Sequence, residues 1–208
     1  EGALRLLPTA PATEVEASQG ADAGGPSTGS WGWGAQLGYR WVHHSAAVSW
    51  LQGPRVAPQL GWRGPKSALT LALPVQYELR ETRTEPRLSL AFATWGVRLE
   101  PGYERWLGAR WWWLLGLSAG RDWTQTRPKA TGATSPYVPD AARWEGSWVL
   151  GGWTGVSLHA SRYASLEAQF ALELDPRRVV YKLETAEGDV TLLVRQRLRP
   201  VVVLGLAF

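Results

Sequence analysis

From Trp31 to Trp41 the side chains alternate without a break. Trp31, Trp33, Ala35, Leu37, Tyr39 and Trp41 fall on one side, and Gly32, Gly34, Gln36, Gly38 and Arg40 on the other. A period of two is a strand period, because successive side chains leave an extended backbone on opposite faces. The stretch therefore has one apolar face and one small or polar face. The apolar face begins and ends in large aromatics, the order expected of a strand that crosses a lipid layer between two interfacial girdles. In a soluble sandwich the same face would be core.

The pattern recurs along the chain. Leu69, Leu71, Leu73, Val75, Tyr77 and Leu79 alternate with Thr70, Ala72, Pro74, Gln76, Glu78 and Arg80. Leu88, Leu90 and Phe92 open a further strand whose phase slips before Trp95, Val97 and Leu99, as a bulge would cause. Glu100-Pro101-Gly102 is a tight-turn signal, and 124–141 has the Thr, Pro, Gly and Ser content of a long loop. Between them lies the apolar block Trp111–Leu117, whose faces the pattern leaves open. Trp144, Trp148, Leu150, Val156 and Leu158 alternate with Glu145, Ser147, Gly151, Ser157 and His159. After a short turn near Ser161, Ala164 to Leu174 alternate with Ser165, Glu167, Gln169, Ala171 and Glu173. Ala186-Glu187-Gly188-Asp189 reads as a hairpin turn.

Composition narrows the choices. No apolar run approaches the ~18 residues of a membrane helix. The absence of Cys removes any disulfide framework or thiolate metal site. The net charge is +4, but no basic run or nucleic-acid motif accompanies it, so no nucleic-acid partner is expected. His43 and His44 are adjacent, so a strand would send them to opposite sides, and no metal or other cofactor is expected. The 14 Trp are read as membrane girdles, with Trp31, Trp33, Tyr39, Trp41, Trp144 and Trp148 assigned to them. Residues 1–28 lack periodicity and read as a disordered or extended tail ahead of a 29–208 domain. A first residue of Glu1 fits a removed secretory signal.

The last strand places Val202, Leu204, Leu206 and Phe208 on one face and Arg195, Arg197 and Arg199 on the other. A terminal aromatic preceded by apolar residues at every second position resembles the C-terminal signature of bacterial outer-membrane β-barrels of the small OmpA- and OmpX-like class. The resemblance implies an all-β, closed, antiparallel, transmembrane up-and-down barrel. It also implies a final strand read by the barrel-insertion machinery, contact with outer-membrane lipid and other envelope proteins, and periplasmic termini. Periplasmic termini require an even strand number. Eight strands are expected, at about 30–42, 43–53, 67–82, 87–100, 103–123, 142–160, 162–185 and 189–208. A split at Asp175-Pro176 would make ten. Loops near 83–86, 124–141 and 186–189 would lie outside, and turns near 101–102 and 160–162 inside.

The interior of such a barrel receives Arg40, Glu78, Arg80, Glu145, Glu167, Glu173, Arg195, Arg197 and Arg199. An eight-stranded lumen barely admits side chains, and an unpaired buried charge costs several kcal/mol, so these groups must pair. The arrangement resembles the ionic interior of OmpA-type membrane domains. It implies a non-enzymatic anchor or interaction subunit of the envelope, with 124–141 as the contact loop; the alternative is a narrow channel or small-solute transporter. A third reading follows from His159, Ser161 and Glu173, whose order is similar to the triad of the PagL lipid A deacylases. That likeness implies His159 as base, Ser161 as nucleophile and Glu173 as the group orienting the imidazole. The residue after Ser161 is Arg162, where that family has Asn.

Overall fold

The computed structural model describes residues 29–45, 50–84, 88–108, 110–130, 142–161, 163–177, 179–185 and 188–208. The proposed tail at 1–28 lies outside them. Eleven strands follow in chain order: β1 (Ser30–His43), β2 (Trp50–Arg63), β3 (Ser67–Ala72), β4 (Val75–Thr84), β5 (Leu88–Gly108), β6 (Trp111–Ala130), β7 (Arg143–His159), β8 (Ser165–Leu174), β9 (Val180–Thr185), β10 (Gly188–Val194) and β11 (Leu198–Ala207). Among the described residues there is no helix.

The pairing runs in a ring. β1 pairs with β2, which pairs with β3 and β4. Both of those pair with β5, and the order continues through β6, β7, β8 and β11 back to β1, all antiparallel. The seam aligns Tyr39 with Leu204 and ends in a reciprocal backbone pair between Ala35 and Phe208. β3 and β4 make one stave, so the ring has eight staves. Gln59 faces Ala72 and Val56 faces Val75, so the register is unchanged across the gap between them. Pro58 and Pro74 fall in that gap and supply no N–H to the ladder. Their carbonyls still accept, from Leu73 N at 3.0 Å and Arg98 N at 3.0 Å.

The eight-stave barrel matches the expected class, but several boundaries move. The second strand is Trp50–Arg63, not 43–53, and it runs through Pro54 and Pro58. Glu100-Pro101-Gly102 is no turn. It lies inside the 21-residue β5, and Gly102 pairs with Gly116 and Thr70. A Cβ on Gly102 would lie 2.6 Å from Thr70 Oγ1 and 3.1 Å from the Trp153 ring, so the glycine serves close packing. The real turn follows at Gly108, whose φ of 122° is open to glycine at little cost. β6 reaches Ala130, so 124–130 is strand, and 131–141 lies outside the described residues. The chain does break at Asp175-Pro176, yet the count stays at eight. β9 and β10 pair only with each other, as a separate hairpin between β8 and β11.

The two ends differ. At the end bearing Ser30 and Phe208 the connections are short, at 64–66, 109–110 and 160–164. At the far end they are 44–49, 85–87, 131–142 and the excursion 175–197 that contains the hairpin. β5, β6 and β7 have 21, 20 and 17 residues against ten in β8, so they rise past β8 at the far end.

Candidate functional site

The faces of the ring carry opposite chemistry. Leu37, Leu69, Leu71, Leu115, Leu117, Phe170, Leu172, Leu204 and Leu206 point outward, and Leu117 is 66% exposed. Rings of Trp31, Trp33, Trp106 and Trp111 stand toward the end with the termini, and Trp50, Trp95, Trp123 and Trp148 toward the other. Of the predicted girdle residues, Trp31, Trp33, Trp144 and Trp148 are exposed. Tyr39 and Trp41 are half-buried against each other with ring centroids 4.9 Å apart. Leu204, Leu206 and Phe208 are exposed on one face of β11, with Val202 half-buried in the same row.

The lumen holds three tiers. Its middle is ionic. Asp122, fully buried, meets Arg98 at 2.6 Å, Arg199 at 2.9 Å and Arg195 at 3.0 Å. Glu173 meets Arg40 at 2.7 Å, Arg199 at 2.9 Å and Arg98 at 3.5 Å. Arg40 also pairs with Glu78. Arg195 donates to Ser147 Oγ at 3.2 Å and lies 3.5 Å from Asp175. Toward the termini Arg55 pairs with Glu100 at 2.5 Å. Arg40, Arg55, Arg98, Arg195 and Arg199 thus stand against Glu78, Glu100, Asp122, Glu173 and Asp175, and the tier is charge-balanced. Balance is what the desolvation cost of buried ions demands. Gly96 makes room for it, because a Cβ there would lie 2.7 Å from Asp122 Oδ1.

Above this tier, at the far end, the lumen is apolar. Val42, Leu51, Leu90, Phe92, Val201 and Val203 pack with Tyr181 and Leu193 from the β9–β10 hairpin. The Phe92 and Tyr181 rings meet edge-on at 5.3 Å. Gln196 N donates to the His44 carbonyl at 2.9 Å, tying the hairpin base to the end of β1. His44 lies just past β1 and is fully buried. Burial first, then the charges of Arg195 and Arg199, press its pKa down to about 3, so the imidazole is neutral. Toward the termini, Gln36 and Gln169 donate to Glu167 at 2.5 and 3.2 Å. A cavity of about 540 Å³ opens there, lined among others by Gln59, Thr70, Glu104, Ser157 and Glu167.

Of the nine residues expected in the ionic network, Arg40, Glu78, Glu173, Arg195 and Arg199 come together. Glu167 sits in the tier nearer the termini. Arg80, Glu145 and Arg197 are exposed and do not join the cluster. Arg80 falls where the β4 register shifts between Glu78 and Glu81, Glu145 on the part of β7 above β8, and Arg197 in the bend before β11. Arg55, Arg98, Glu100, Asp122 and Asp175 were missed. The bulge expected in β5 is absent. Leu90, Phe92, Thr94 and Arg98 share one inward phase, and the first two are apolar because they belong to the far-end cap. Following Trp95, Val97 and Leu99 outward would have placed Arg98 and Glu100 inside.

The proposed triad is not assembled. His159 pairs across the ladder with Ser165, and Glu173 lies farther along the same strand by ~25 Å at ~3.3 Å per residue. Ser161 Oγ accepts the backbone N–H of Tyr163 and of Ala164, each at 3.1 Å, as a turn-stabilising hydroxyl does. The His159 ring lies against Trp112 at 5.5 Å. His43 and His44 face different neighbours: His43 bonds Gln196 at 2.7 Å, and His44 packs on Phe92. Among the described residues no group of acidic or imidazole side chains has metal-site geometry.

A hydrogen-bonded ring of eight antiparallel staves, with an apolar outer face and a charged lumen, is the fold of the small outer-membrane β-barrels. Solved structures agree. The Thermus thermophilus major outer membrane protein superposes with a TM-score of 0.57 at 11% identity, covering 85% of this chain and 99% of its own. Neisserial surface protein A gives 0.56 at 12%, covering 86% and 97%. The Yersinia pestis attachment invasion locus protein Ail gives 0.50 at 11%, covering 85% and 97%. No protein-family model matches the chain, and no curated protein matches it in sequence.

Proposed function

We propose that the protein resides in a bacterial outer membrane as a non-enzymatic anchor or interaction subunit of the envelope, its lumen closed by the arginine–carboxylate tier and the apolar cap. The observation that carries this is the inverted distribution of burial. Trp33 is 85% exposed while Arg98 and Arg199 are at most 1% exposed. In water that arrangement leaves a continuous apolar belt unburied, far beyond the few hundred Å² that soluble monomers tolerate. In a bilayer the belt meets hydrocarbon, and the ring of antiparallel pairings leaves no stave without a partner on either side. On this reading the end of the barrel with Ser30, Phe208 and the short connections faces the periplasm, and the end with the hairpin and long connections faces outward, where partners dock. The row ending at Phe208 is what the barrel-insertion machinery would read.

The test is heat-modifiable gel migration of the extracted protein together with planar-bilayer recording. A band that shifts on boiling and a silent bilayer are expected. A protein monodisperse in plain buffer would overturn the membrane assignment. Stepwise conductance would replace the closed barrel with the channel reading.

A further inference from the structure

We infer that Arg121, Trp123 and Trp148 form a binding site for the phosphate of an outer-leaflet glycolipid of the lipid A kind. The inference rests on the outer-membrane reading above.

Arg121 points outward from β6 among side chains that face hydrocarbon. Its guanidinium carbon lies 5.6 Å from the centroid of Trp123 and 5.6 Å from that of Trp148. Cross-strand pairing sets Arg121 opposite Trp148, and Trp123 opposite Gly146. Gly146 is the seat of the guanidinium: a Cβ there would lie 2.8 Å from Nη2 and 3.0 Å from Nε. The head group is held between two indoles, by cation–π attraction and by lack of space, rather than free to snorkel. None of the ion pairs among the described residues involves it.

Position decides what the group meets. From Trp111 to Arg121 the β6 strand advances ten residues, which at ~3.3 Å each and a tilt of ~40° is a height of ~25 Å. An outer-membrane barrel's apolar band is also ~25 Å tall. Arg121 therefore stands at the outer edge of the band, where lipid phosphates lie. The outward row continues through exposed Arg127 and Lys129, and the far-end outward faces of β5, β6 and β7 carry no carboxylate. A phosphate supplies the missing anion and matches the two-pronged fork of a guanidinium. A carboxylate partner within the protein would have made the same arginine a structural ion pair.

The test uses the full chain folded in detergent micelles, with folding checked by heat-modifiable migration. Wild type, Arg121→Gln and Trp148→Leu are titrated with bisphosphorylated lipid A, with dephosphorylated lipid A, and with phosphatidylglycerol as competitor. The expectation is that Arg121→Gln weakens binding of the bisphosphorylated lipid at least about tenfold. Trp148→Leu should weaken it less, dephosphorylated lipid should bind all three proteins equally weakly, and phosphatidylglycerol should not displace it. Binding by Arg121→Gln within about twofold of wild type would overturn the site. So would equal binding of dephosphorylated lipid, or displacement by phosphatidylglycerol. A wild-type protein with no heat-modifiable form would instead sink the membrane reading itself, so the two failures are separable.

Discussion

Asp122 is the group on which the ionic tier converges, and replacing it with Asn tests that role. The carboxylate is fully buried and faces three guanidiniums, those of Arg98, Arg199 and Arg195. Asn keeps the volume and one acceptor oxygen but removes the charge, and its amide nitrogen adds donors among donors. Breaking one buried pair by removing a partner costs ~3–5 kcal/mol, because the remaining charge stays desolvated. Glu173 still neutralises part of Arg98 and Arg199, so the loss should lie near ~3–4 kcal/mol rather than three times that. At ~1.4 kcal/mol per decade this is a fall of over a hundredfold in the folded-to-unfolded ratio. Urea unfolding in phosphatidylcholine vesicles, followed by tryptophan fluorescence, measures it. Glu145→Gln, at an exposed site on β7, is the control and should change stability by less than ~0.5 kcal/mol. An Asp122→Asn loss below ~1 kcal/mol, or one equal to the control, would refute the view that this carboxylate balances three buried arginines.

Other consequences follow from the same geometry. Phe92→Ala should cost ~3–5 kcal/mol and release the hairpin, seen as faster proteolysis between β8 and β11 in the folded protein. Leu115→Arg, at the middle of the outward belt, should cost ~2–4 kcal/mol in a vesicle assay but little in folded-state lumen contacts. His44 gives a pH dependence: the unfolded chain binds a proton near pH 6.5 that the folded one refuses until about 3. Stability is therefore full above 6.5 and falls as the pH drops below it, by up to ~1.4 kcal/mol per pH unit. Unfolding midpoints at pH 7, 6 and 5 check this, and His44→Gln should flatten the slope.

The barrel class was legible because Trp31–Trp41 and Leu69–Leu79 alternate cleanly, and their outward and inward assignments follow directly from the pleat. What failed has a physical cause at each place. Leu90 and Phe92 are apolar and face inward, since the far-end lumen is capped by hydrophobic contacts; polarity alone then misassigns their face. Leu114, buried inside, interrupts the period of Trp113, Leu115 and Leu117 and hid the inward phase that leads to Asp122. Pro101-Gly102 has turn composition, yet the glycine answers to the Trp153 ring on β7, two staves away, a contact invisible in local sequence. β9 and β10 read like staves because a local hairpin and a barrel strand share the same alternation; only the partner differs. Asp175 looked like a break and is one, but its pairing with Arg195 required knowing that the chain returns beside it.

The excursion between β8 and β11 bears on how the molecule is completed. Tyr181, Leu193 and Arg195 belong to it, and Arg199 to the stave that follows. A chain threaded only as far as β8 already carries Asp122, Glu173, Glu78 and Glu100 with Arg40, Arg98 and Arg55, and so holds an excess of negative charge on its concave side. The two missing cations arrive last: Arg195 at the end of the excursion that also brings Asp175, and Arg199 on β11, which pairs with β1 from Ala207 to Val201. Joining the circumference and neutralising the interior are then one event, so a half-made sheet has an electrostatic incentive to admit its own C-terminal segment.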